Sequence, residues 1–224
     1  MGTRWIDLSQ PIYNGMPRAG LLDKPQLAPK RIDIGQPDML IQITNCSFAT
    51  HTGTHIDAPL HFFPGGRALD DYPLEAFAGP GRLLRVSKEP FGVITREDLE
   101  SAGEEVRRGD VVLIRTGWGA KYGQADYETS PSLGEDAARW LVERGVKIMG
   151  IDSLTPELAY PKRPKGYAFP IHRILLGNGV FVIEHLNLER LSITRGMTVA
   201  AFPLPIRGAD GAPARVFAMV EEPA

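Results

Sequence analysis

The stretch HTGTHIDAPLH, residues 51–61, holds three of the chain's 5 histidines together with a carboxylate. His51, His55, Asp57 and His61 offer imidazole nitrogens, which bind metals as neutral rings near physiological pH, and one charge-matching oxygen ligand. On a straight strand His51, Gly53, His55 and Asp57 would share one face. His51 and His55 would then stand roughly 13 Å apart, too far to meet on one ion. If the two share a metal, the chain must turn between them. Gly53 gives the backbone that freedom, and Pro59 blocks an ordinary helix through the next turn. The spacing therefore predicts a ligand-bearing bend rather than a regular element; the alternative is a polar loop with scattered histidines.

Two further candidates lie downstream. VFVIEHL (180–186) is apolar through Ile183 and then presents Glu184. A carboxylate after so apolar a run is costly unless it meets a cation, a metal or solvent at the strand end. His172 sits at the start of a short helical stretch, PIHRILL, where it could equally cap the helix. His185, next to Glu184 on a strand, is expected to point the other way. The lone Cys46 reads as a small packed residue rather than a nucleophile. Arg115, Arg207 and Arg215 could meet a substrate carboxylate, but spacing selects none of them.

These groups need elements to hold them. LIQITNCSF (40–48) alternates and is rich in β-branched residues, so it predicts a strand leading into the histidine cluster. Strands are also expected at 81–88, 109–117, 146–152, 180–186, 197–202 and 214–221, the last two flanking the turn PIRGADGAP. TREDLESAG predicts a helix capped by Thr95 and closed at Gly103. SLGEDAARWLVERG predicts another, with Ser132 and Glu135 as a capping box and Gly145 as its stop. Residues 10–37, rich in Pro and Gly, read as an irregular arm. The sum is one α/β or α+β domain over 1–224.

Composition excludes several classes. With 224 residues, 43% hydrophobic and 23% charged, the chain is an ordinary globular sequence that can bury a sizeable core. A net charge of -2 gives no electrostatic reason to expect nucleic acid or an anionic membrane. One cysteine allows no intrachain disulfide, and no apolar run suggests a signal peptide or a membrane span, so a cytoplasmic protein is expected.

HTGTHIDAPLH resembles the H-x-G-T-H-x-D-x-P-x-H signature of the cyclase family that includes bacterial kynurenine formamidases. VVLIRTGW (111–118), MGID (149–152) and IHRILLGNGVFVIEHLNL (171–188) resemble further family segments in the same order. The resemblance implies an α/β domain with a barrel-like mixed central sheet and a few flanking helices, assembled as a homodimer or homotetramer. It implies two divalent ions, zinc or in some members manganese. His51, His55 and Asp57 would hold the first; Asp57 would bridge to a second completed by His172 and Glu184. His61 would be the proton donor and acceptor. The expected reaction is hydrolysis of an amide, with arylformamide first and a cyclic amide, as in isatin hydrolase, next. Where formamidases carry a Trp-bearing P-x-W-P-G-D type segment, this chain reads YNGMPRAGLLD.

The chemistry suits those ligands. Two ions about 3.5–4 Å apart lower the pKa of a shared water from about 15.7 toward about 7, and a metal stabilises the oxyanion formed by attack on a carbonyl. The leaving nitrogen needs a proton, which His61 can deliver. Two rivals remain. His55, Asp57 and His172 spell a two-His-one-carboxylate Fe(II) oxygenase triad, but this leaves His51, His61 and Glu184 without a role and expects an all-β jelly roll. A closed structural metal site leaves His61 without one. Amide hydrolysis without oxygen uptake separates the three.

Overall fold

The computed structural model describes residues 2–35 and 39–222. Its strands in chain order are β1 (Gly2–Asp7), β2 (Gln26–Asp33), β3 (Leu40–Ser47), β4 (His55–Asp57), β5 (Ala78–Arg85) and β6 (Val93–Ile94). They continue as β7 (Val111–Arg115), β8 (Ser132–Leu133), β9 (Ile148–Ile151), β10 (Phe181–Glu184), β11 (Met197–Pro203) and β12 (Gly211–Glu222). The helices are α1 (Arg96–Ser101), α2 (Glu135–Glu143) and α3 (Pro170–Gly177).

Seven strands close into a mixed barrel in the order β12-β11-β5-β7-β9-β10-β4 and back to β12. β5, β7, β9 and β10 run parallel, while the joints through β11, β12 and β4 are antiparallel. Closure rests on the length of β12. Its first residues, Gly211 to Pro213, pair with β4, and its later ones pair with β1 on the same side.

Strand alternation separates two cores. On β7, Val111 and Leu113 face the barrel interior, packing with Leu83, Ile148, Ile183 and Val216. Val112 and Ile114 face outward and meet Leu99 of α1, Trp140 and Leu141 of α2, and Leu175 of α3. Both faces are covered, which is why these parallel strands read as near-continuous apolar runs. Gly150 belongs to the inner face, where an added Cβ would come within 2.6 Å of Leu186.

The expected strands and helices are present, together with short strands that were not expected, β4, β6 and β8, and further differences. Thr95 caps α1 as expected, but α2 has Gly134 at its N-cap and no side-chain cap. Ser132 instead lies in β8, paired with β6, so its backbone belongs to a ladder. Asp136 of α2 accepts a hydrogen bond from the Arg96 N–H at 2.8 Å, serving the start of the neighbouring helix. The irregular arm is only partly so: Gln26–Asp33 forms β2, an antiparallel ribbon with β3. The first strand, β1, carried no alternation signal; it is an edge strand with one buried residue, Ile6. Among the described residues no helix is long and apolar enough to cross a membrane.

Candidate metal centre

The site lies on the outer face of the β4–β10 pair. In that ladder His55 stands directly opposite Glu184, Ile56 opposite Ile183, and Asp57 opposite Val182. Ile56 and Ile183 point into the barrel core, so His55, Asp57 and Glu184 share the other face. α3 lies over that face and supplies His172 from its first turn, buried at 4% exposure. His51 arrives from the preceding turn. Gly53, at φ 64°, makes the reversal that brings it back over Asp57. The expected bend is therefore confined to residues 51–54, and His55–Asp57 is a short regular strand.

The ring nitrogens converge on two carboxylates. His51 Nδ1 lies 2.7 Å and His55 Nε2 3.3 Å from Asp57 Oδ1. His172 Nε2 lies 3.5 Å from Asp57 Oδ2 and 3.2 Å from Glu184 Oε1. His55 Nε2 is 3.5 Å from Glu184 Oε2. His51, His55 and Asp57 thus form one compact donor group, and Asp57, His172 and Glu184 a second, each within 4.8 Å. Asp57 belongs to both.

The opposite ring nitrogens are each tied to an acceptor. His55 Nδ1 donates to the Gly53 carbonyl at 2.8 Å, His172 Nδ1 to Glu157 at 2.9 Å, and His51 Nε2 to Asp210 at 2.9 Å. Such outer partners fix the tautomer of metal-binding histidines and aim the free nitrogen. Asp57 Oδ2 is fully buried with no hydrogen-bond partner, an expensive state for a carboxylate oxygen. An orphaned oxygen facing aimed imidazole nitrogens fits a divalent cation.

Electrostatics agree. Burial alone would raise the Asp57 carboxyl, but the charges of His51 and His55, the close His172 ring and the His51 hydrogen bond hold it well below the usual carboxylate range. Burial lowers the His51 imidazole, yet the Asp57 charge and bonds to Asp210 and Asp57 push it up to about 10. His172 is raised against burial in the same way by Asp57, Glu157 and Glu184. Protons on these rings supply the positive charge that a bound cation would otherwise bring.

All six residues singled out in the sequence, His51, His55, Asp57, His61, His172 and Glu184, line one cleft of about 250 Å³. Its walls include Leu22, Phe62, Leu154, Tyr160 and Phe169. Ala19, Leu21 and Leu22 come from YNGMPRAGLLD, so that segment does reach the site. Arg115 and Arg215 are paired instead with Glu189 and Asp7, and neither they nor Arg207 line the cleft. Cys46, expected to be packed, is instead exposed on the ribbon, and it lines no part of the cleft.

Two residues, Glu157 and Asp210, escaped the sequence reading, and a third, His185, was expected to point away and does not. His185 lines the same cleft as Glu184, because its left-handed backbone at φ 57° ends the strand alternation. Burial and the neighbouring His55 lower it to about 3, leaving a neutral ring with Nδ1 3.0 Å from the Tyr127 hydroxyl. Glu157 is fully buried in an irregular segment, where no periodicity marks it. Asp210 lies in the turn before β12, among residues that read as loop chemistry. The next residue, Gly211, is required by close approach: a Cβ there would sit 2.5 Å from His51 Cε1.

Residues 6–158 match the family described as "Putative cyclase". The kynurenine formamidase of Bacillus cereus is 30% identical over 219 residues, 95% of this chain and 96% of that protein. Isatin hydrolase A from Ralstonia solanacearum superposes with a TM-score of 0.85 at 27% identity, covering 98% of this chain and 92% of that one. A solved structure titled as a predicted metal-dependent hydrolase from Bacillus stearothermophilus gives 0.78 at 30% identity, covering 99% and 100%. With two converging donor groups built on the signature, and likeness to these hydrolases over nearly its whole length, the chain belongs to the cyclase family.

Proposed function

We propose that this protein is a metal-dependent hydrolase of an amide or cyclic amide, using two divalent ions per chain, zinc first and manganese as the substitute. The observation that carries this is Asp57, whose two oxygens each face one donor group. His51, His55 and Asp57 would hold one ion, and Asp57, His172 and Glu184 the other. When bound, the ions lower the pKa of water and polarise a carbonyl.

The chain's own residues do the rest. Phe62, Tyr160, Phe169 and Leu154 form an apolar wall that accepts an aryl ring and excludes water. Hydrolysis adds oxygen to the carbonyl carbon, breaks the C–N bond and requires a proton on the departing nitrogen. His61, lining the cleft with a partly exposed ring, takes that proton from the attacking water and delivers it. Arylformamides such as N-formylkynurenine are the leading substrates. A second reading, opening of a neutral aromatic lactam such as isatin, is favoured by one feature. Among the described residues lining the cleft there is no Lys or Arg to meet a substrate carboxylate.

Assembly as a homodimer or homotetramer belongs to the same proposal. It is supported by the β2–β3 ribbon, which exposes Leu40, Ile41 and Ile43 although isolated two-stranded ribbons are marginal in water. Sedimentation of the metal-loaded protein tests it. The function is tested by a hydrolysis screen of zinc- and manganese-loaded protein over N-formylkynurenine, isatin, simple lactams and lactones. Turnover of an amide without oxygen uptake supports the reading, and inertness toward every one of them overturns it.

A further inference from the structure

Asp210, outside the cleft lining, reaches the far side of two of its histidines, His51 and His61, and does not touch Asp57. Its Oδ2 lies 3.0 Å from His61 Nδ1 and 2.9 Å from His51 Nε2, while Oδ1 accepts the Thr50 hydroxyl at 3.0 Å. Barrel closure fixes the backbone beneath it. The Asp210 carbonyl accepts the Ala58 N–H at 2.9 Å, and Gly211 pairs with Asp57 in the β12–β4 ladder. The turn itself is tied down from outside, where the Gly208 N–H donates to Asp70 at 2.9 Å. The carboxylate is thus locked between two rings of the signature by a strand register, not by a mobile side chain.

An ionised carboxylate only accepts hydrogen bonds, so the His61 nitrogen facing it must carry hydrogen. A neutral imidazole with its hydrogen on Nδ1 has its lone pair on Nε2 alone. The His61 ring is also fixed in place by stacking at 3.9 Å from His51, tilted by 32°. We propose that Asp210 is the positioning residue of His61, holding hydrogen on Nδ1 so that Nε2 takes a proton from the attacking water and passes it to the departing nitrogen; this rests on the acid–base reading of His61. The competing role is a third metal position, since His51, His61 and Asp210 also form a compact donor group. The two groups differ in one respect. Both His nitrogens facing Asp210 are satisfied by it, whereas Asp57 leaves an orphaned oxygen.

Asp210→Asn keeps the shape but replaces an acceptor-only group with one that also donates. The experiment uses zinc-saturated protein and a series of ring-substituted formanilides. Asp210→Asn is expected to lower kcat roughly 10–100-fold with KM little changed, as for other residues that orient a site group. The loss should be largest for the poorest leaving anilines and smallest for nitro-substituted ones. With zinc saturating, so that the Asp210 contact to His51 does not limit metal content, Asp210→Asn should cost far less in the His61→Ala background than in the wild type, because its effect on turnover passes mainly through the His61 ring. Nitrogen NMR of the 5 histidines in the zinc-loaded protein should show His61 with hydrogen on Nδ1, a preference lost in Asp210→Asn. The inference is overturned if the His61 signal is unchanged by the substitution, if the losses add in full in the double variant, or if Asp210→Asn binds less zinc and turns over at the wild-type rate once saturated with it. If the wild type hydrolyses no formanilide, the hydrolase reading fails on its own, and the NMR comparison still decides the role of Asp210.

Discussion

Glu157 holds His172 twice with one oxygen: Oε1 accepts the His172 main-chain N–H at 2.8 Å and its ring Nδ1 at 2.9 Å. The other oxygen accepts the Tyr167 hydroxyl at 2.6 Å. A single buried carboxylate therefore sets both where α3 begins and which way its histidine ring faces. The ring nitrogen left over, Nε2, is the one aimed at Asp57 and Glu184.

Removing that support should be felt in metal binding before it is felt in the fold. Glu157→Ala frees the His172 ring and leaves its Nδ1 without a fixed acceptor. Zinc affinity is expected to fall roughly 10–100-fold, the usual cost of losing an outer partner of a metal-binding histidine. Competition against a chromogenic chelator measures it. An unchanged affinity would mean that His172 does not hold the ion.

If the proposed centre is right, Asp57 should be the costliest residue to lose, because it belongs to both donor groups. Glu184→Ala removes a ligand from one group only and should leave one tightly held ion per chain. Asp57→Ala should leave none that survives dialysis. Elemental analysis after reconstitution with excess metal separates the two variants. A wild-type chain that never takes up more than one ion would remove the bridging role altogether.

His61 should behave differently from every ligand. Its ring nitrogen faces Asp210 rather than Asp57 or Glu184. His61→Ala is expected to retain normal metal content with kcat reduced roughly 10²–10⁴-fold, the range for loss of a general acid–base group. Activated esters, whose leaving group departs without a proton, should suffer least. A metal-depleted variant restored by added zinc would instead make His61 a ligand.

What the sequence made legible follows from where each residue sits. The signature segment revealed His51, His55, Asp57 and His61 because they lie within eleven positions, and Gly53 announced the turn that folds them together. Glu184 stood out because a carboxylate closed an apolar strand, and the β10 register put it opposite His55. Glu157 and Asp210 carried no comparable mark. Each reaches the site from a connection between regular elements, across 15 residues to His172 and 149 to His61, and only closure of the barrel makes them neighbours. His185 misled because alternation assumes a continuing strand, while its left-handed φ of 57° ends the strand one residue earlier. Ser132 misled because a capping pattern does not reveal that the same residue is used by a second, short sheet.

Metal uptake should be an exchange of protons for cations. In the metal-free protein, burial disfavours charge on His51, but the Asp57 and Asp210 carboxylates push it up to about 10, and His172 is raised by Asp57, Glu157 and Glu184. Both rings are therefore held toward the protonated form, whereas a metal-binding nitrogen must offer a lone pair. Zinc addition at about neutral pH should release protons, and apparent affinity should rise with pH. The sign for stability runs the other way. A histidine raised from 6.5 to about 10 on folding stabilises the metal-free chain fully below 6.5, and that contribution is lost as pH rises through about 10. The melting temperature of the metal-free protein should accordingly fall on the alkaline side, while that of the zinc-loaded protein holds. Calorimetric titrations in buffers of different ionisation enthalpy count the protons directly. Uptake without proton release, at an affinity independent of pH, would place the ions somewhere other than these rings.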